Sequence, residues 1–401
     1  MRWIGLVCVL SVLASGQDAK LQKRIDAAID KGCAALFRLQ SVDGSFGSGV
    51  GQHALVMLAL LHSKVDKNHP AIRKALRPLR KPARRNYALA LRLTVMDEIR
   101  EEGMQKMARA DAYRIMDNQG MSGGWDYEQT GERTDNSCTQ YALLGLRAAD
   151  NMGLQLPVTA WRNAMKFLLT QLKRDGGMAY TRDREATSSM TAGAIASLVS
   201  VKARVKFKSS DRRSGRLVRA INKATRWLAK DWKPGRDPHG YYTLYGLERA
   251  MAFAGQDRLV DRNWYVEGAR WLLSHQRKDG FWKGQGNRNS TAFALLFLSR
   301  ASKPTGSETP GSVHGLMSRV TAQTSKKQVL KIAAIIARRG KSAIPLLVHY
   351  LSDKRRTRRR CAIAALRGIT GSTRGYDPDL TPAENADAIE AWKKAVAGSP
   401  K

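Results

Sequence analysis

The pattern KGCAALFRLQSVDGSF at Lys31–Phe46 recurs as MKFLLTQLKRDGGMAY at Met165–Tyr180 and as GARWLLSHQRKDGFW at Gly268–Trp282. Each stretch is typical of a helix that has Gln near its last turn and is followed by an Asp, a Gly and an aromatic residue. One pattern repeated along a chain indicates repeated structural units that bury their apolar faces against each other. The repeat therefore decides the fold class before any single residue is considered.

A polar loop follows each copy and leads to a second segment that is small, apolar and almost uncharged. Such a segment suits a helix buried on all sides, whereas the charged face of the first segment suits an outer helix. The unit is thus a helical hairpin, and about six hairpins over residues 20–302 predict an all-α fold, a closed double ring or α/α toroid. The inner segments are residues 50–62, 136–148, 188–200, 240–252 and 289–299, with a degenerate copy at 87–96.

The Gln-to-aromatic element resembles the QW repeat of the squalene and hopene cyclases, and the inner segments resemble those of the wider terpenoid cyclase and protein prenyltransferase toroid family. The resemblance covers residues 20–302 and implies that these Gln and aromatic side chains tie neighbouring repeats together. The matching positions are Gln40, Gln119 with Gly124 and Trp125, Gln171, Gln276 with Gly280 and Trp282, and more weakly residues 227–241.

The catalytic residues of that family are largely missing. Its cyclases protonate an alkene with an Asp of a DxDD motif, and this sequence contains no such motif. Its prenyltransferases bind zinc through an Asp, a Cys two residues later and a His. That pattern places Asn136 at the Asp position, so the metal candidates are Asp135, one residue out of register, Cys138, and His239 two repeats away. We expect no cofactor and no metal.

The loops that lead into the inner helices open on one face of the predicted ring, its mouth. Helical double rings of other families cleave glycans with two carboxylates, which makes Asp126, Asp183 and Asp237 catalytic candidates. Acidic residues before helices also serve as N-terminal caps, as Asp135 before Asn136 would. The predicted binding residues at the mouth are Trp125, Tyr127, Asp135, Tyr180, Arg182, His239, Tyr241, Tyr242, Trp282 and Arg288.

The first residues of the chain read as a secretory signal peptide, residues 1–16. An apolar run at residues 4–14 follows Arg2 and precedes the small residues Ala14-Ser15-Gly16, and the run is too short to span a bilayer. We therefore expect an exported protein, periplasmic or extracellular, with no transmembrane segment in its mature form. Three cysteines would remain, which indicates no disulfide framework.

The formal net charge is +35, with 69 basic and 34 acidic residues. The basic residues cluster at residues 73–85, 202–226 and 354–360. Such charge attracts polyanions of many kinds. For an exported protein we expect no nucleic acid partner, which leaves an acidic polymer such as a polysaccharide, an envelope lipid or an acidic protein. Solvated basic faces without a partner are the alternative.

Residues 304–325, which contain PTGSETPGS, read as a linker between the toroid at residues 17–303 and a segment at 326–401. From Gly340 to Leu366 that segment resembles a HEAT repeat, and a C-terminal helix with Trp392 would close its apolar end. We expect a binding or scaffold protein of the cell envelope that is not an enzyme. The alternative is a divergent enzyme of the toroid family, acting on an isoprenoid or, through carboxylates, on a glycan.

Overall fold

The computed structural model of the chain describes residues 4–101, 103–128, 134–207, 211–256, 258–284, 286–300, 313–318, 320–337 and 340–397, with only the backbone at 4–19, 314–315, 318, 341–342, 345–346 and 397. The side chains of the predicted signal peptide and residues 304–312 of the predicted linker therefore lie outside the described part. The chain divides into two units, Met1–Lys303 and Pro304–Lys401. None of the helices searched over the described residues is long and apolar enough to cross a membrane.

The first unit is all-α and alternates outer and inner helices along the chain. The outer helices are α1 (Ile4–Phe37), α3 (Pro70–Leu79), α5 (Gln105–Asp117), α7 (Thr159–Gln171), α9 (Arg212–Asp231) and α11 (Trp264–His275). The inner helices are α2 (Val50–His62), α4 (Asn86–Ile99), α6 (Asn136–Asn151), α8 (Ser188–Arg204), α10 (Gly240–Ala254) and α12 (Asn287–Leu298).

The six inner helices form a closed ring. Each packs against the next, from α2 through α4, α6, α8 and α10 to α12, and α12 packs against α2. The last outer helix, α11, also contacts the first, α1. The prediction of an α/α toroid of six hairpins, including the degenerate hairpin with inner helix α4, is therefore confirmed.

The inner helices are buried because their side chains are small or apolar on every side. In α8 every residue from Ser188 to Leu198 is buried. The first turns of α6 and α8 are capped by side chains, since the Asp135 carboxylate accepts from the N–H of Cys138 and the Thr187 hydroxyl accepts from that of Met190. These bonds satisfy amide donors that a helix leaves unpaired at its start. The interpretation of Asp135 as a cap is confirmed.

The repeated Gln ties each hairpin to the next outer helix. Gln40 Nε2 donates to the carbonyl of Gly44 four residues on and, at 2.8 Å, to that of Ala71 at the start of α3. Gln119 makes the same pair of bonds, to Gly123 and Ala160. The copy at Met165–Tyr180 departs from this pattern. Leu172 stands four residues before Gly176, so Gln171 is one residue out of register.

The last Gln closes the ring. Gln276 Nε2 donates to the carbonyl of Gly280 at 3.0 Å and to that of Ala28 in α1 at 2.9 Å. Gly280 has φ +88°, and a Cβ added there would stand 2.4 Å from the carbonyl oxygen of Lys31. Only glycine fits such a close approach of backbone to backbone. The turn at Gly280, in the last hairpin of the first unit, therefore packs directly against α1.

The second unit has its own core. Its helices are α13 (Val313–Ser318), α14 (Lys326–Ala337), α15 (Ile344–Tyr350), α16 (Arg356–Thr370) and α17 (Ala386–Ala397), with a 3₁₀ turn at Gly340–Ala343. Helix α13 lies inside the segment predicted as a linker, and Val313, Leu316 and Met317 are buried in this second core. The segment at 304–325 is thus not entirely a linker. The HEAT-like interpretation stays a prediction.

Candidate functional site

The loops at the mouth of the ring are linked to one another. The N–H of Asn86, at the start of α4, donates to the carbonyl of Tyr127 in the next loop, and the N–H of Asn136 donates to that of Tyr180. Helices α4 and α6 therefore each fix the position of the loop that precedes the next inner helix. Because the amino ends of the inner helices all lie at this face, their dipoles give the mouth a positive potential.

A cavity of about 340 Å³ opens at the mouth between the loops that precede α10 and α12. We refer to it as the bowl. It is formed by the loop before α10, the first turns of α10 and α12, the last turn of α11 and the loop after Trp282. Its lining residues are Gly235, Asp237, Pro238, His239, Gly240, Tyr241, Tyr242, Trp271, His275, Lys283, Gly284, Asn289, Ser290 and Phe293.

Aromatic rings form one wall of the bowl. The ring of Trp271, on outer helix α11, lies 5.2 Å from that of Tyr241 and 4.4 Å from that of His275. On the other side the ring of Tyr242 meets Phe293 edge to face at 5.5 Å. All but His275 are partly buried, so each presents part of its ring to the bowl while the rest is held by packing.

The polar groups of the bowl are held by backbone contacts. The Asp237 carboxylate accepts from the N–H of Ser189 at 3.2 Å and from that of His239 at 2.8 Å, which fixes the loop before α10. The Tyr241 hydroxyl donates to the carbonyl of Lys283 at 3.1 Å and joins this loop to the next. Burial raises the pKa of Tyr241, so its hydroxyl keeps the proton that it donates. The Lys283 side chain is exposed at the rim.

A second cluster lies at the start of α6, where one oxygen each of Asp126 and Asp135 and the sulfur of Cys138 lie within 4.8 Å of one another. Both oxygens of Asp135 are occupied. One accepts from the Ser137 hydroxyl and the N–H of Cys138, each at 2.6 Å, and the other accepts from the Tyr180 hydroxyl at 3.0 Å. Burial, and then the Asp135 carboxylate, raise the pKa of the Cys138 thiol far above its usual value. The thiol is therefore neutral in this environment.

The predicted metal set of Asp135, Cys138 and His239 is not assembled. The structure groups Asp126 with Asp135 and Cys138, and His239 is not a member of that group. His239 lies on the loop before α10 and lines the bowl instead. Helix α8 stands between α6 and α10 in the ring. Gln140 and Tyr141 of α6 reach Tyr242 of α10, whereas His239 precedes α10 and lines the bowl.

Side chains fill the centre of the ring below the mouth. The buried guanidinium of Arg249 lies 4.1 Å from the ring centre of Tyr245 and 5.2 Å from that of Tyr141, and it donates to Gln140 Oε1 at 3.3 Å. Tyr141 in turn stacks on Tyr242 at 6.3 Å. Burial raises the pKa values of the three tyrosines, so they are neutral hydrogen-bonding groups. Within the described residues the centre is thus a packed polar and aromatic core and not a deep apolar chamber.

Two predicted binding residues are placed wrongly by the sequence argument. Trp125 and Trp282 have no exposed surface, so neither lies on the rim of the mouth. Their indole N–H groups donate inward, to the carbonyls of Ile115 and Leu272. Each indole is held by its own outer helix, and the Trp282 ring also lies against Gly32 of α1, which explains why the repeat places an aromatic residue there without exposing it.

The other predicted residues are spread around the mouth. Arg182 and Asp183 are exposed on the loop before α8, and a hydrogen bond from Thr181 lowers the pKa of Asp183. Arg288 donates to Gln52 Oε1 at 2.9 Å across the closure between α12 and α2. Tyr127 is 44% exposed, and its hydroxyl lies 3.1 Å from that of Tyr180. The structure therefore brings Asp237, His239, Tyr241 and Tyr242 together in the bowl, and Asp126, Tyr127, Asp135 and Tyr180 in the second cluster.

Sequence reasoning missed Trp271, which contributes the largest ring of the bowl. Residues 226–228 and 270–272 both read Arg-Trp-Leu in outer helices, so aligning the repeats would have paired Trp227 with Trp271. Both rings lie against the glycine turn of the preceding hairpin. A Cβ added at Gly177 would stand 2.8 Å from the Trp227 ring, and one at Gly235 would stand 2.6 Å from Nε1 of Trp271.

No family model and no curated protein match the chain. Among solved structures, the first unit is similar to a possible member of the GH105 family from Salmonella enterica, with a TM-score of 0.49 and 15% identity over 70% of this chain and 93% of that one. It is also similar to a type II terpene cyclase from Scytonema, with a TM-score of 0.32 and 16% identity over 70% of this chain and 98% of that one. At these TM-scores nothing further is concluded from the similarities, and both the fold and the closure of the ring rest on the helix contacts described above.

Proposed function

We propose that the first unit is a binding scaffold for saccharide chains that carry acidic groups, and that the bowl is its recognition site. The observation that carries this proposal is an open cavity with an aromatic wall and a polar floor, above a ring centre that is already filled. Its volume of about 340 Å³ falls in the range of small-molecule sites. We further propose that the protein acts without catalysis in the cell envelope, after export directed by residues 1–16.

The chemistry of the lining favours a sugar. Sugar rings have an apolar face of C–H groups that packs on aromatic rings, and Trp271 with Tyr241 offers such a surface. Hydroxyl groups at the edge of a sugar need both donors and acceptors. The side chains of Asn289, Ser290 and Asp237 supply these within the same cavity.

The charge favours an acidic sugar. Lys283 is exposed at the rim, and the inner-helix dipoles add positive potential at the mouth. The net charge of +35 raises the local concentration of any polyanion around the protein. A saccharide with carboxylate groups can stack on the aromatic wall and is also attracted by this potential. A neutral saccharide can only stack.

The test is a titration with trigalacturonate and, separately, with neutral maltotriose. We expect Trp271→Ala to weaken trigalacturonate binding by about tenfold or more, since buried aromatic anchors dominate binding energy. The matched control is Trp227→Ala, which removes the corresponding ring from α9, outside the bowl, and leaves a similar gap over Gly177. Equal losses in the two variants, or no trigalacturonate binding by the parent protein, would contradict the proposal.

Lys283→Gln separates charge from stacking. We expect it to weaken trigalacturonate binding and to leave any maltotriose binding unchanged. The control is Lys278→Gln, because Lys278 is equally exposed on the preceding turn and does not line the bowl. If both variants weaken binding alike, the effect belongs to the overall charge and not to the bowl.

A second candidate function, cleavage of a glycan, is favoured by one observation. The carboxylate oxygens of Asp126 and Asp135 lie within 4.8 Å, close to the separation of about 5 Å in glycosidases that retain configuration. The three hydrogen bonds that Asp135 accepts favour a structural role instead. Release of reducing ends from polygalacturonate by the parent protein, abolished by Asp126→Asn, would establish the enzyme.

We infer that the second unit is a HEAT-like spacing or binding element. The support is that α14 and α15 both pack on α16, the segment that carries the resemblance. Leu330 is 53% exposed on α14, so Leu330→Asp should leave the fold intact. A loss of trigalacturonate affinity in that variant would contradict this division of roles.

A further inference from the structure

Helix α9 carries a straight line of basic side chains on its solvent face. Their spacing alternates between four and three residues, which places them on one side of an α-helix. We refer to them as the α9 basic line. All are exposed, and the buried face of the helix is formed by Leu217, Ala220, Ala224 and Leu228. The members of the line are Arg212, Arg216, Arg219, Lys223, Arg226 and Lys230.

The line is not neutralised within the described residues. The acids on α9 and at its amino end are engaged elsewhere, since Asp211 pairs with Arg213 and Asp231 pairs with Arg236. The nearest turn contributes Asp175, whose carboxylate accepts from Trp227 Nε1 at 3.0 Å. Among the ion pairs of the described residues, none includes a member of the line.

Helix stability does not account for this arrangement. Like charges three and four residues apart repel each other. Two of the six cations, Arg212 and Arg216, also lie in the first turns of the helix, where the dipole disfavours positive charge. The line is therefore electrostatically unfavourable for the free protein, and a bound polyanion would remove both costs.

The geometry points to a linear partner. With a rise of 1.5 Å per residue, the line from Arg212 to Lys230 extends over about 27 Å, or about 5 Å per charge. That spacing is close to the length of one pyranose residue in an extended polysaccharide. In duplex DNA the phosphates of one strand rise by about 3.4 Å each along the axis and wind around it, so they do not form a straight row at this spacing. A membrane would favour charges spread over a plane, and these lie in a single row.

A recess of about 240 Å³ flanks the line at Arg226. Asn222, Thr225 and Gln256 line it with amide and hydroxyl groups, and Val260, which is 55% exposed, adds an apolar edge. Such a mixture suits the hydroxyl and C–H groups of a sugar beside a row of carboxylates. We propose that the α9 basic line binds an extended acidic polysaccharide of the uronate type. This proposal shares its ligand class with the proposed function and otherwise rests on α9 alone.

The test uses the full-length triple variant Arg219→Gln, Lys223→Gln and Arg226→Gln. Gln has a helix propensity close to that of Lys and Arg, so α9 should stay folded, and circular dichroism checks this. The matched control removes the same charge from another outer helix, α3 with its C-terminal cap, through Lys74→Gln, Arg77→Gln and Arg80→Gln. These three side chains are also exposed.

The probe is polygalacturonate longer than 20 residues, titrated at several salt concentrations. We expect the α9 variant to bind it at least tenfold more weakly and to show a shallower dependence of log K on log salt, because each cation removed from the line lowers the number of counterions that the polymer releases on binding. The α3 variant should change neither value. Equal losses in both variants, or binding of anionic vesicles or duplex DNA in place of polygalacturonate, would overturn the proposal.

Trigalacturonate distinguishes this site from the bowl, because three sugars cannot extend along the line. The α9 variant should bind trigalacturonate like the parent protein. If the bowl proposal fails, Trp271→Ala leaves trigalacturonate binding unchanged, while the α9 variant still binds polygalacturonate more weakly than the parent protein. If the α9 proposal fails, the α9 variant keeps the parent protein's affinity for polygalacturonate, whatever the effect of Trp271→Ala on trigalacturonate binding.

Discussion

Gly280→Ala tests whether the ring is closed. Gly280 lies in the last turn of the first unit, and a Cβ there would stand 2.4 Å from the carbonyl oxygen of Lys31 in α1. That oxygen belongs to the backbone of a helix, so it cannot rotate away as a side chain would. The substitution therefore forces the last hairpin away from the first helix or distorts both.

The expected loss has two parts. An Ala in the left-handed region costs about 1–2 kcal/mol. Overpacking against a fixed neighbour costs about 1–3 kcal/mol more. The control is Gly153→Ala, because Gly153 has nearly the same φ, +84°, and nothing within 4 Å of its added Cβ. Gly153→Ala should carry only the cost of the left-handed conformation, so the free energies of unfolding of the two variants should differ by about 1–3 kcal/mol.

The assay is urea unfolding followed by tryptophan fluorescence and by far-ultraviolet circular dichroism, with the free energy of unfolding from linear extrapolation. Coincident transitions of the two signals are required, since the chain has two units. Equal destabilisation by Gly280→Ala and Gly153→Ala would mean that Gly280 does not touch α1. That result would refute the closed ring and the mouth with it.

Two further predictions concern the buried interior. Asp111→Ala should lower the free energy of unfolding by about 3–5 kcal/mol, because it leaves the guanidinium of Arg92 buried without the two 2.7 Å hydrogen bonds to the carboxylate. The control is Asp117→Ala at an exposed position of the same helix, which should change the free energy by no more than about 0.5 kcal/mol. Equal unfolding midpoints of the two variants in urea would contradict this prediction. Burial raises the pKa of Cys33 to about 11 and that of Cys361 to about 12, so the folded state keeps protons that the unfolded chain releases above about pH 8.5. Stability should therefore decline as pH rises from about 8.5 toward 11, and both thiols should react with an aromatic disulfide reagent at about pH 8 only after unfolding; rapid labelling of the native protein would contradict it.

The hairpins were predictable because burial on all sides leaves a compositional signal. The inner helix predicted at residues 50–62 is α2 (Val50–His62), and the degenerate segment at 87–96 lies within α4 (Asn86–Ile99). A segment of small and apolar residues with no charged face has no stable place except between two layers. Local pattern therefore determines both the helix and its layer, and the closure of the ring follows from their number.

The aromatic residues of the repeat were harder to place. Trp125 and Trp282 are as large as Trp271, and the sequence does not show which of the three is exposed. Trp125 and Trp282 come just after a glycine turn, and their indole N–H groups donate to the outer helix of the same hairpin. Trp271 lies on an outer helix and packs on the turn at Gly235 in the preceding hairpin. Only the packing against the preceding hairpin separates these roles, and that packing joins residues far apart in the chain.

The filled centre of the ring is the feature that no local pattern could give. Arg249 is one cation in an apolar helix, and Tyr141 and Tyr245 belong to two inner helices, α6 and α10, that have α8 between them in the ring. Their meeting depends on the diameter of the ring and on the rotation of each inner helix about its axis. Because a guanidinium held between tyrosine rings is costly to displace, a ligand of the proposed scaffold would bind at the mouth, where Lys283 is exposed and Trp271 is partly exposed. The location of the proposed binding site thus depends on the side chains that fill the centre as much as on those that line the rim.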